Sequence, residues 1–227
     1  MKRRIEKEYT YYMNSSQELV PRAVLQNIIN QLCDDANLIP QIKFNCLLEF
    51  RFASDADNKK KISFKINHGE IYYKVTQKTR LSSIDSDLQI YDERISAWHH
   101  ISELDPSSIN NDVISYYYKE SYKYEISLGQ GRYKLNLQDI TFLDSTNQDS
   151  DRVYYLEIEN KKMDDNTLVK ILANLEAAGW MKLTDSSSKV SIGAVTLPES
   201  YCLSHDLHLV KKQVYSVFKK MAIRSMS

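Results

Sequence analysis

The sequence contains little glycine and proline, and it has no excess of charge of either sign. With 5 glycines and 4 prolines in 227 residues, collagen-like and low-complexity architectures are excluded. Lys+Arg and Asp+Glu both count 30, so overall charge gives no argument for a protein that coats nucleic acid or lies on a membrane surface. Any electrostatic function must therefore come from local segregation of charge.

Long apolar runs and paired cysteines are also missing. No stretch of about 18 apolar residues suggests a transmembrane helix. The first residues, Met1 to Arg4, lead into charged positions rather than into an apolar signal core. The three cysteines, Cys33, Cys46 and Cys202, are odd in number and far apart, which indicates thiols of a reducing compartment rather than a disulfide framework or a zinc site.

The dominant pattern is period-two alternation, unusually rich in the 16 tyrosines of the chain. In most of these segments polar or charged residues occupy one face and apolar residues the other. They predict about eight strands, the number that closes a small barrel. The segments are Ile5 to Tyr9, Leu47 to Ala53, Lys61 to Ile66, Tyr72 to Arg80, Leu88 to Ile95, Tyr117 to Leu128, Arg132 to Gln138 and Tyr154 to Glu159.

Three segments instead show helical spacing of apolar residues. The first, Ser15 to Asp34, begins with a capping-box spacing in Ser15 and Glu18. The others are Asp165 to Ala178, which stops at Gly179, and His205 to Ala222. We expect a mainly β (α+β) protein, a closed eight-stranded antiparallel barrel with helices packed outside. Residues 1–227 form one domain in this reading, with 180–227 as a C-terminal extension that includes the third helix.

Two Glu-x-Glu motifs lie in strand-like segments near opposite ends of the chain. In an extended strand, residues i and i+2 point to the same side, so each pair places two carboxylates about 6 to 7 Å apart. If the two strands are neighbours, four carboxylates converge: Glu6, Glu8, Glu157 and Glu159. Protons or cations must neutralise such a cluster, and a hard divalent cation prefers these oxygen ligands.

Basic residues are segregated in the same way. Lys74, Lys78 and Arg80 share one strand face with no acid. A solvated sheet face is the usual explanation for charged alternation. A closed barrel with a polar interior and an apolar exterior also explains the separation of acids from bases. Such an interior suits a metal-bound polyanion, and a tri- or polyphosphate fits several cations better than a monophosphate does.

The alternation changes phase after Leu137, where Asp139 and Thr141 continue positions that were apolar. A β-bulge near Gln138 would let Lys134 and Asp139 point the same way. A misassigned strand is the alternative explanation.

With these motifs the sequence resembles the triphosphate tunnel metalloenzymes, and among them the metal-dependent RNA 5′-triphosphatases of fungal, protozoal and large-DNA-virus capping systems. The two Glu-x-Glu segments resemble the metal motifs of that family. Residues 72–80 resemble its basic strand, and residues 137–141 its acid-and-threonine strand. Ile5 to Leu19 is particularly similar to the start of the baculovirus members, and the resemblance extends to about Gly179.

The resemblance implies release of the γ-phosphate from 5′-triphosphate RNA, the first step of mRNA capping, with Mg²⁺ or Mn²⁺. It implies a guanylyltransferase partner in cis or in trans, no membrane, and an intracellular location, in the nucleus or a cytoplasmic viral factory. The metal ligands would be Glu6, Glu8, Glu157 and Glu159. Phosphates would be held by Arg51, Lys74, Lys78, Arg80, Lys119, Lys123 and Lys134. The water-orienting candidates are Glu49, Glu125 and Asp139.

Three other functions stay open at this point. One is a hydrolase of the same fold that acts on inorganic triphosphate, polyphosphate or thiamine triphosphate. Another is a non-catalytic barrel scaffold of a transcription complex, such as Mediator-head subunits, although a scaffold has no need for interior acid pairs. The third is an RNA-binding module that stacks bases on tyrosines, but Tyr118, Tyr122 and Tyr124 share an apolar face with Ile126, where core packing is the default.

Overall fold

The computed structural model describes residues 1–14, 21–36, 41–52, 58–82, 88–106, 113–128, 131–144, 149–162, 165–183 and 206–224. The predicted capping box of Ser15 and Glu18 lies outside these ranges. No helix in the described ranges is both long enough and apolar enough to cross a membrane.

The described chain consists mainly of strands, as the alternation predicts. All eight predicted strands are present, several of them longer than predicted. The strands are β1 Lys2–Asn14, β2 Gln41–Phe52, β3 Asn58–Asn67, β4 Glu70–Arg80, β5 Gln89–Ile95, β6 His99–His100, β7 Val113–Leu128, β8 Gly131–Leu143, β9 Asp149–Lys162 and β10 Met181–Lys182. The helices are α1 Pro21–Ala36, α2 Asp165–Ala177 and α3 Leu207–Arg224, with a 3-10 turn at Ile101–Glu103.

Eight of the strands form a closed antiparallel barrel. They pair in the order β1-β5-β4-β3-β2-β7-β8-β9, and β9 pairs back onto β1. The short β6 and β10 pair with β4 and β1 beside this ring. The predicted closed eight-stranded barrel is confirmed by this pairing.

The main apolar core lies between the outside of the barrel and the helices. Tyr11 and Leu156 of the barrel wall belong to one buried cluster with Leu25 of α1 and Ile171 of α2. A second cluster joins the outer faces of β2 and β3 to the apolar face of α3; its members include Phe50, Phe64, Val210, Val214 and Val217. Each fully buried side chain of this kind contributes about 1.5 to 3 kcal/mol. Since the outer face is apolar, alternation directs the intervening residues of each strand into the barrel.

A smaller apolar cluster fills one end of the barrel interior. Tyr12 and Tyr155 are cross-strand partners on β1 and β9, and Tyr117 and Phe142 are partners on β7 and β8. These rings pack with Ile140 and Val153. We call this the plugged end. The opposite end, where Lys43, Lys65, Tyr72 and Glu125 lie, is called the mouth.

The strand register runs through Gln138 without a bulge. The pairing of β8 with β9 shifts only at Arg132/Tyr133 and at Phe142/Leu143, and its pairing with β7 is continuous. Lys134 and Gln138 therefore share the interior face, and Asp139 lies on the outer face. The expected bulge near Gln138 is wrong: the strand is regular, and its outer face changes from apolar to polar at Asp139, where Arg152 of β9 pairs with the carboxylate.

Candidate active site inside the barrel

The two Glu-x-Glu motifs meet inside the barrel, as their spacing predicts. Glu8 of β1 and Glu159 of β9 are direct cross-strand partners. Glu6 and Glu157 lie on the same interior face, each two residues from one of these partners. Glu6, Glu8 and Glu159 are almost fully buried. The four carboxylates thus form one acidic wall made by two neighbouring strands.

Lys78 of β4 reaches into this acidic wall although β5 separates the two strands. Its ammonium forms an ion pair with Oε2 of Glu6, lies 3.5 Å from Oε2 of Glu8, and lies 3.8 Å from Oε1 of Glu93 on β5. Burial alone would lower the pKa of Lys78, but Glu8, Glu6 and Glu157 together raise that pKa well above its ordinary value. Lys78 is therefore a permanent cation among the acids.

Arg4 is a second cation beside the acidic wall. Its guanidinium lies 2.7 Å from Oε1 of Glu6, 2.5 Å from Oε2 of Glu93 and 4.0 Å from Oε2 of Glu159. Burial works to lower the pKa of Arg4, but the three carboxylates together raise that pKa above its ordinary value. Arg4 therefore bridges three acids from three strands.

The carboxylates of β9 have partners on β8. Lys134 Nζ lies 2.7 Å from Oε1 of Glu159, and Asn136 Nδ2 donates to Oε2 of Glu157 over 2.9 Å. These contacts follow from the register, which pairs Lys134 with Glu159 and Asn136 with Glu157. The second acid pair is thus oriented by its own neighbour strand.

Glu49 of β2 is the centre of the opposite, basic wall. Its carboxylate accepts from Lys61 at 3.2 Å, from Ser63 at 2.8 Å, from Tyr117 at 2.7 Å and from Lys119 at 3.0 Å, and the residue is 1% exposed. Burial works to raise the pKa of Glu49, but Lys119, Lys61 and the Tyr117 hydroxyl hold that pKa well below its ordinary value. Glu49 is thus a charged, fully hydrogen-bonded anchor for its neighbours.

The lysines around Glu49 are crowded and partly desolvated. Burial lowers the pKa of Lys119 to about 7, although Glu49 opposes this. Burial and the nearby Lys61 lower the pKa of Lys74 to about 8. Burial, with Lys134 and Lys61 close by, also lowers the pKa of Lys123. The carboxylate of Glu49 interacts electrostatically with three lysines, Lys61, Lys74 and Lys119. This wall therefore favours the binding of a further anion.

The two predicted arginines also face the interior. Arg51 donates from Nε to the Tyr117 hydroxyl over 2.9 Å, with its guanidinium 5.3 Å from the centre of that ring. The guanidinium of Arg80 lies 6.0 Å from the ring centre of Tyr91 on β5. Both therefore extend the basic wall towards the plugged end.

Two of the three water-orienting candidates lie away from the acidic wall. Asp139 is on the outer face of the barrel, where its carboxylate pairs with the guanidinium of Arg152 at 2.6 Å. Glu125 lies at the rim of the mouth, 39% exposed and 3.3 Å from Lys43 Nζ. The third, Glu49, is already saturated by donors. Asp139 thus lies outside the barrel interior, and the role of Glu49 and Glu125 in orienting water stays a prediction.

Sequence reasoning missed Arg4 and Glu93. Arg4 precedes Glu6 by two residues, so strict alternation was a sufficient signal to place it on the interior face. Glu93 carries a weaker signal, because its interior neighbours along β5, Tyr91 and Ile95, are not acidic. Only the pairing of β5 with both β1 and β4 brings Glu93 between Arg4 and Lys78.

The donor chemistry of the acidic wall fits a hard divalent cation, since all its anionic groups are carboxylates. In the described part of the chain, however, no three His, Cys, Asp or Glu side chains are arranged so as to hold a metal ion. The ammonium of Lys78 lies where the carboxylates of Glu6, Glu8 and Glu93 converge. A divalent cation would therefore bind with displacement of Lys78 from Glu6 and Glu8.

No known family model and no curated protein sequence matches the chain. Solved structures that resemble it include a mimivirus capping enzyme triphosphatase, 13% identical, with 76% of this chain and 88% of that chain covered and a TM-score of 0.41. An RNA triphosphatase of Schizosaccharomyces pombe is 16% identical, with 77% and 76% covered and a TM-score of 0.42. A chain in the structure of the Mediator head module of the same yeast is 11% identical, with 77% and 92% covered and a TM-score of 0.45. All three TM-scores are below 0.5, and the barrel is defined by this chain's own strand pairing.

Proposed function

We propose that this chain hydrolyses the γ-phosphate of 5′-triphosphate RNA, in the presence of Mg²⁺ or Mn²⁺, to give 5′-diphosphate RNA and phosphate. The observation that carries the proposal is the division of one closed interior into two walls. Glu6, Glu8, Glu157 and Glu159 line one wall, and lysines around Glu49 line the other. A substrate that binds between the two walls must be an anion. It must also bind together with a cation that neutralises the acidic wall.

The basic wall would bind the phosphate chain. Lys61, Lys74, Lys119 and Lys123 present ammonium groups, and Arg51 and Arg80 extend this surface towards the plugged end. Ammonium and guanidinium groups form charge-assisted hydrogen bonds with phosphate oxygens and stabilise the charge that develops on them during transfer. A phosphate chain would also restore the protonated state of lysines whose pKa burial has lowered.

The acidic wall would hold the metal. Glu6 and Glu8 on β1 and Glu157 and Glu159 on β9 are the proposed ligands. When bound, a divalent cation polarises the transferred phosphoryl group and orients water for in-line attack. Lys134 and Asn136 would keep Glu159 and Glu157 in position, and Arg4 would do the same for Glu6.

Lys78 connects the two walls. Its side chain lies among Glu6, Glu8 and Glu93 and carries a positive charge. With a divalent cation neutralising these carboxylates, the ammonium of Lys78 would be free to turn towards the phosphates of the substrate. We propose that Lys78 binds the transferred phosphate in this second position, and that Glu49 positions the lysines without contacting water.

A second candidate is a hydrolase of inorganic triphosphate or polyphosphate with the same site. It is favoured by the observation that the acids and lysines of both walls face the interior, where a triphosphate group alone can be recognised. Comparing phosphate release from triphosphate-ended RNA, inorganic triphosphate and thiamine triphosphate separates the two functions. A higher kcat/KM for RNA supports the RNA 5′-triphosphatase, and a higher value for either small substrate contradicts it. A guanylyltransferase, in cis or in trans, would then act on the diphosphate end.

A further inference from the structure

Trp98 occupies an unusual place beside the mouth of the barrel. It lies in the short connection between β5 and β6, is only half-buried, and belongs to none of the buried apolar clusters of the described residues. Lys65 Nζ lies 4.5 Å and Lys74 Nζ 4.9 Å from the centre of its ring. Core packing therefore does not explain the position of this large aromatic ring, which has two ammonium groups on its face.

The position of Trp98 is fixed by the backbone next to it. Ser96 donates its N–H to the carbonyl of Val75 over 3.0 Å, and the N–H of Val75 donates back to Oγ of Ser96 over 3.0 Å. The connection is therefore held against β4 two residues before Trp98. These two hydrogen bonds anchor the backbone beside the indole to β4.

Two more rings extend the surface. Tyr72 of β4 and His100 of β6 are cross-strand partners, with ring centres 5.8 Å apart. Lys65 Nζ also lies 5.8 Å from the centre of the Tyr72 ring. We call Lys65, Tyr72, Lys74, Trp98 and His100 the mouth patch; each of them is partly exposed.

The hairpin between β3 and β4 sets the mouth patch at the end of the interior. His68 and Gly69 form its tight turn with φ values of 50° and 80°. Two residues with positive φ are what the favoured two-residue hairpin turn requires. The register that this turn sets pairs Lys65 with Tyr72 on the interior face, next to the barrel end.

Lys74 joins the mouth patch to the basic wall. Its ammonium interacts electrostatically with Lys61 and Glu49 inside the barrel, and it also lies on the face of the Trp98 ring. A triphosphate held by the interior lysines would therefore have its attached nucleoside next to the rings of the patch. The other end of the interior is filled by Tyr12, Tyr117 and Tyr155 with their neighbours.

We propose that the mouth patch binds the first nucleotides of single-stranded RNA, whose bases stack on Trp98 and Tyr72 while Lys65 and Lys74 bind the adjacent phosphates. Aromatic rings interleaved with cations are the usual means of binding single strands without sequence preference. Glu70 and Glu103 are acids in contact with the patch: Glu70 accepts from the Tyr72 hydroxyl at 3.3 Å, and Glu103 accepts from the N–H of His100 at 3.2 Å. Both carboxylates are exposed, so solvent screens their charge. The inference rests on the proposed function and deepens it, because it names the residues that would bind the RNA part of that substrate.

In the structure the two ammonium groups lie on the indole ring. A cation on an exposed aromatic face contributes less than a charge-assisted hydrogen bond to phosphate does. Lys65 and Lys74 would therefore exchange the ring of Trp98 for the RNA backbone, which frees the ring for a base. The alternative is that Trp98 only shields the stems of the two lysines, and then its loss would affect every substrate alike.

The test compares Trp98→Leu, Trp98→Phe and a matched control, Phe44→Leu. Phe44 is also a large exposed ring; it lies on the outer face of β2, 4.9 Å from the ring of Tyr122 and away from the mouth patch. We expect Trp98→Leu to lower kcat/KM for triphosphate-ended RNA about tenfold, the loss of one stacked base, and to leave inorganic triphosphate within about twofold. Trp98→Phe should restore most of the loss, and Phe44→Leu should change neither substrate. Equal losses on both substrates, or no loss on RNA, would overturn the proposal.

A binding measurement without metal separates this inference from the proposed function. Fluorescence anisotropy of triphosphate-ended RNA, labelled at its 3′ end and kept in chelator, reports affinity without turnover. We expect Trp98→Leu to weaken binding about tenfold and Phe44→Leu to leave it unchanged. If wild type binds in this Trp98-dependent way but releases no phosphate, the proposed function fails and the RNA surface stands. If wild type releases phosphate and Trp98→Leu binds RNA normally, or if no RNA binds at all, the RNA surface is rejected.

Discussion

The ammonium of Lys119 donates to Oε1 of Glu49 over 3.0 Å inside the barrel, where both residues are buried. Lys61 shares the same carboxylate. Glu49 therefore holds together the lysines of β3 and β7, while Glu6, Glu8, Glu93, Glu157 and Glu159 lie on β1, β5 and β9. Positive and negative charge are thus separated inside one closed sheet.

Glu49→Gln should destabilise the protein strongly. Removal of one partner from a buried ion pair leaves the other uncompensated, which costs about 3 kcal/mol or more of unfolding free energy. The matched control is Glu125→Gln, because Glu125 pairs with Lys43 at the exposed rim, where such a pair contributes less than about 1 kcal/mol. Urea unfolding of both variants measures the difference. Equal stability of the two variants would contradict the role assigned to Glu49.

Stability should rise with pH above neutrality because of the buried lysines. Burial lowers the pKa of Lys119 to about 7 and the pKa of Lys74 to about 8. A lysine in the unfolded chain has a pKa of about 10.4. Between these values the unfolded chain binds more protons than the native chain, so the free energy of unfolding increases with pH.

The variant Lys119→Met isolates this effect. From pH 7 to 9 we expect the wild-type free energy of unfolding to gain about 2 kcal/mol relative to that of Lys119→Met, because one such lysine accounts for roughly this amount. Urea unfolding at the two pH values gives both slopes. The same slope in both proteins would show that Lys119 keeps an ordinary pKa.

Lys78→Met should strengthen the response to a divalent cation. The ammonium of Lys78 now neutralises Glu6, Glu8 and Glu93, so its removal destabilises the metal-free protein and frees the carboxylates for a competing cation. We expect Mn²⁺ to raise the melting temperature more in Lys78→Met than in wild type, since ligand binding to the native state stabilises it. Phosphate release should fall in the same variant.

The control for this experiment is Lys59→Met. Lys59 is the cross-strand neighbour of Lys78, but its ammonium is bonded to the Tyr91 hydroxyl at 3.0 Å. It should show the wild-type Mn²⁺ response. An equal Mn²⁺ response in wild type and Lys78→Met would show that the metal is held elsewhere, and a weaker response in Lys78→Met would contradict the competition between Lys78 and the metal.

Asp139→Asn should leave phosphate release within about twofold of wild type. The carboxylate lies on the outer face of the barrel and is paired with Arg152, which is 41% exposed, so its loss affects a partly exposed pair worth about 1 kcal/mol or less. Steady-state kinetics with triphosphate-ended RNA measures the effect. A drop in kcat of a hundredfold would place Asp139 in the reaction after all.

The sequence was sufficient to predict the strands and the two acid pairs. Alternation specifies which residues share a face, and Glu6 with Glu8 and Glu157 with Glu159 were found on that basis alone. Closure of the barrel then makes the first and last of its strands neighbours, so the meeting of the two pairs also followed from the strand count.

Contacts across more than one strand could not be predicted in this way. Lys78 meets Glu6 over β5, and this depends on the stagger of three strands, which alternation does not give. Glu93 was missed for the same reason. Asp139 was misplaced because a change in the character of the outer face resembled a bulge, although the register is continuous.

The most direct test of the central claim is phosphate release from triphosphate-ended RNA by wild type, Glu8→Gln and Glu157→Gln, each with and without Mn²⁺. The acidic wall formed by β1 and β9 predicts that wild-type release requires the metal, and that each substitution lowers kcat at least about a hundredfold while thermal unfolding stays cooperative. Metal-independent release, or turnover at the wild-type rate in both variants, would contradict it.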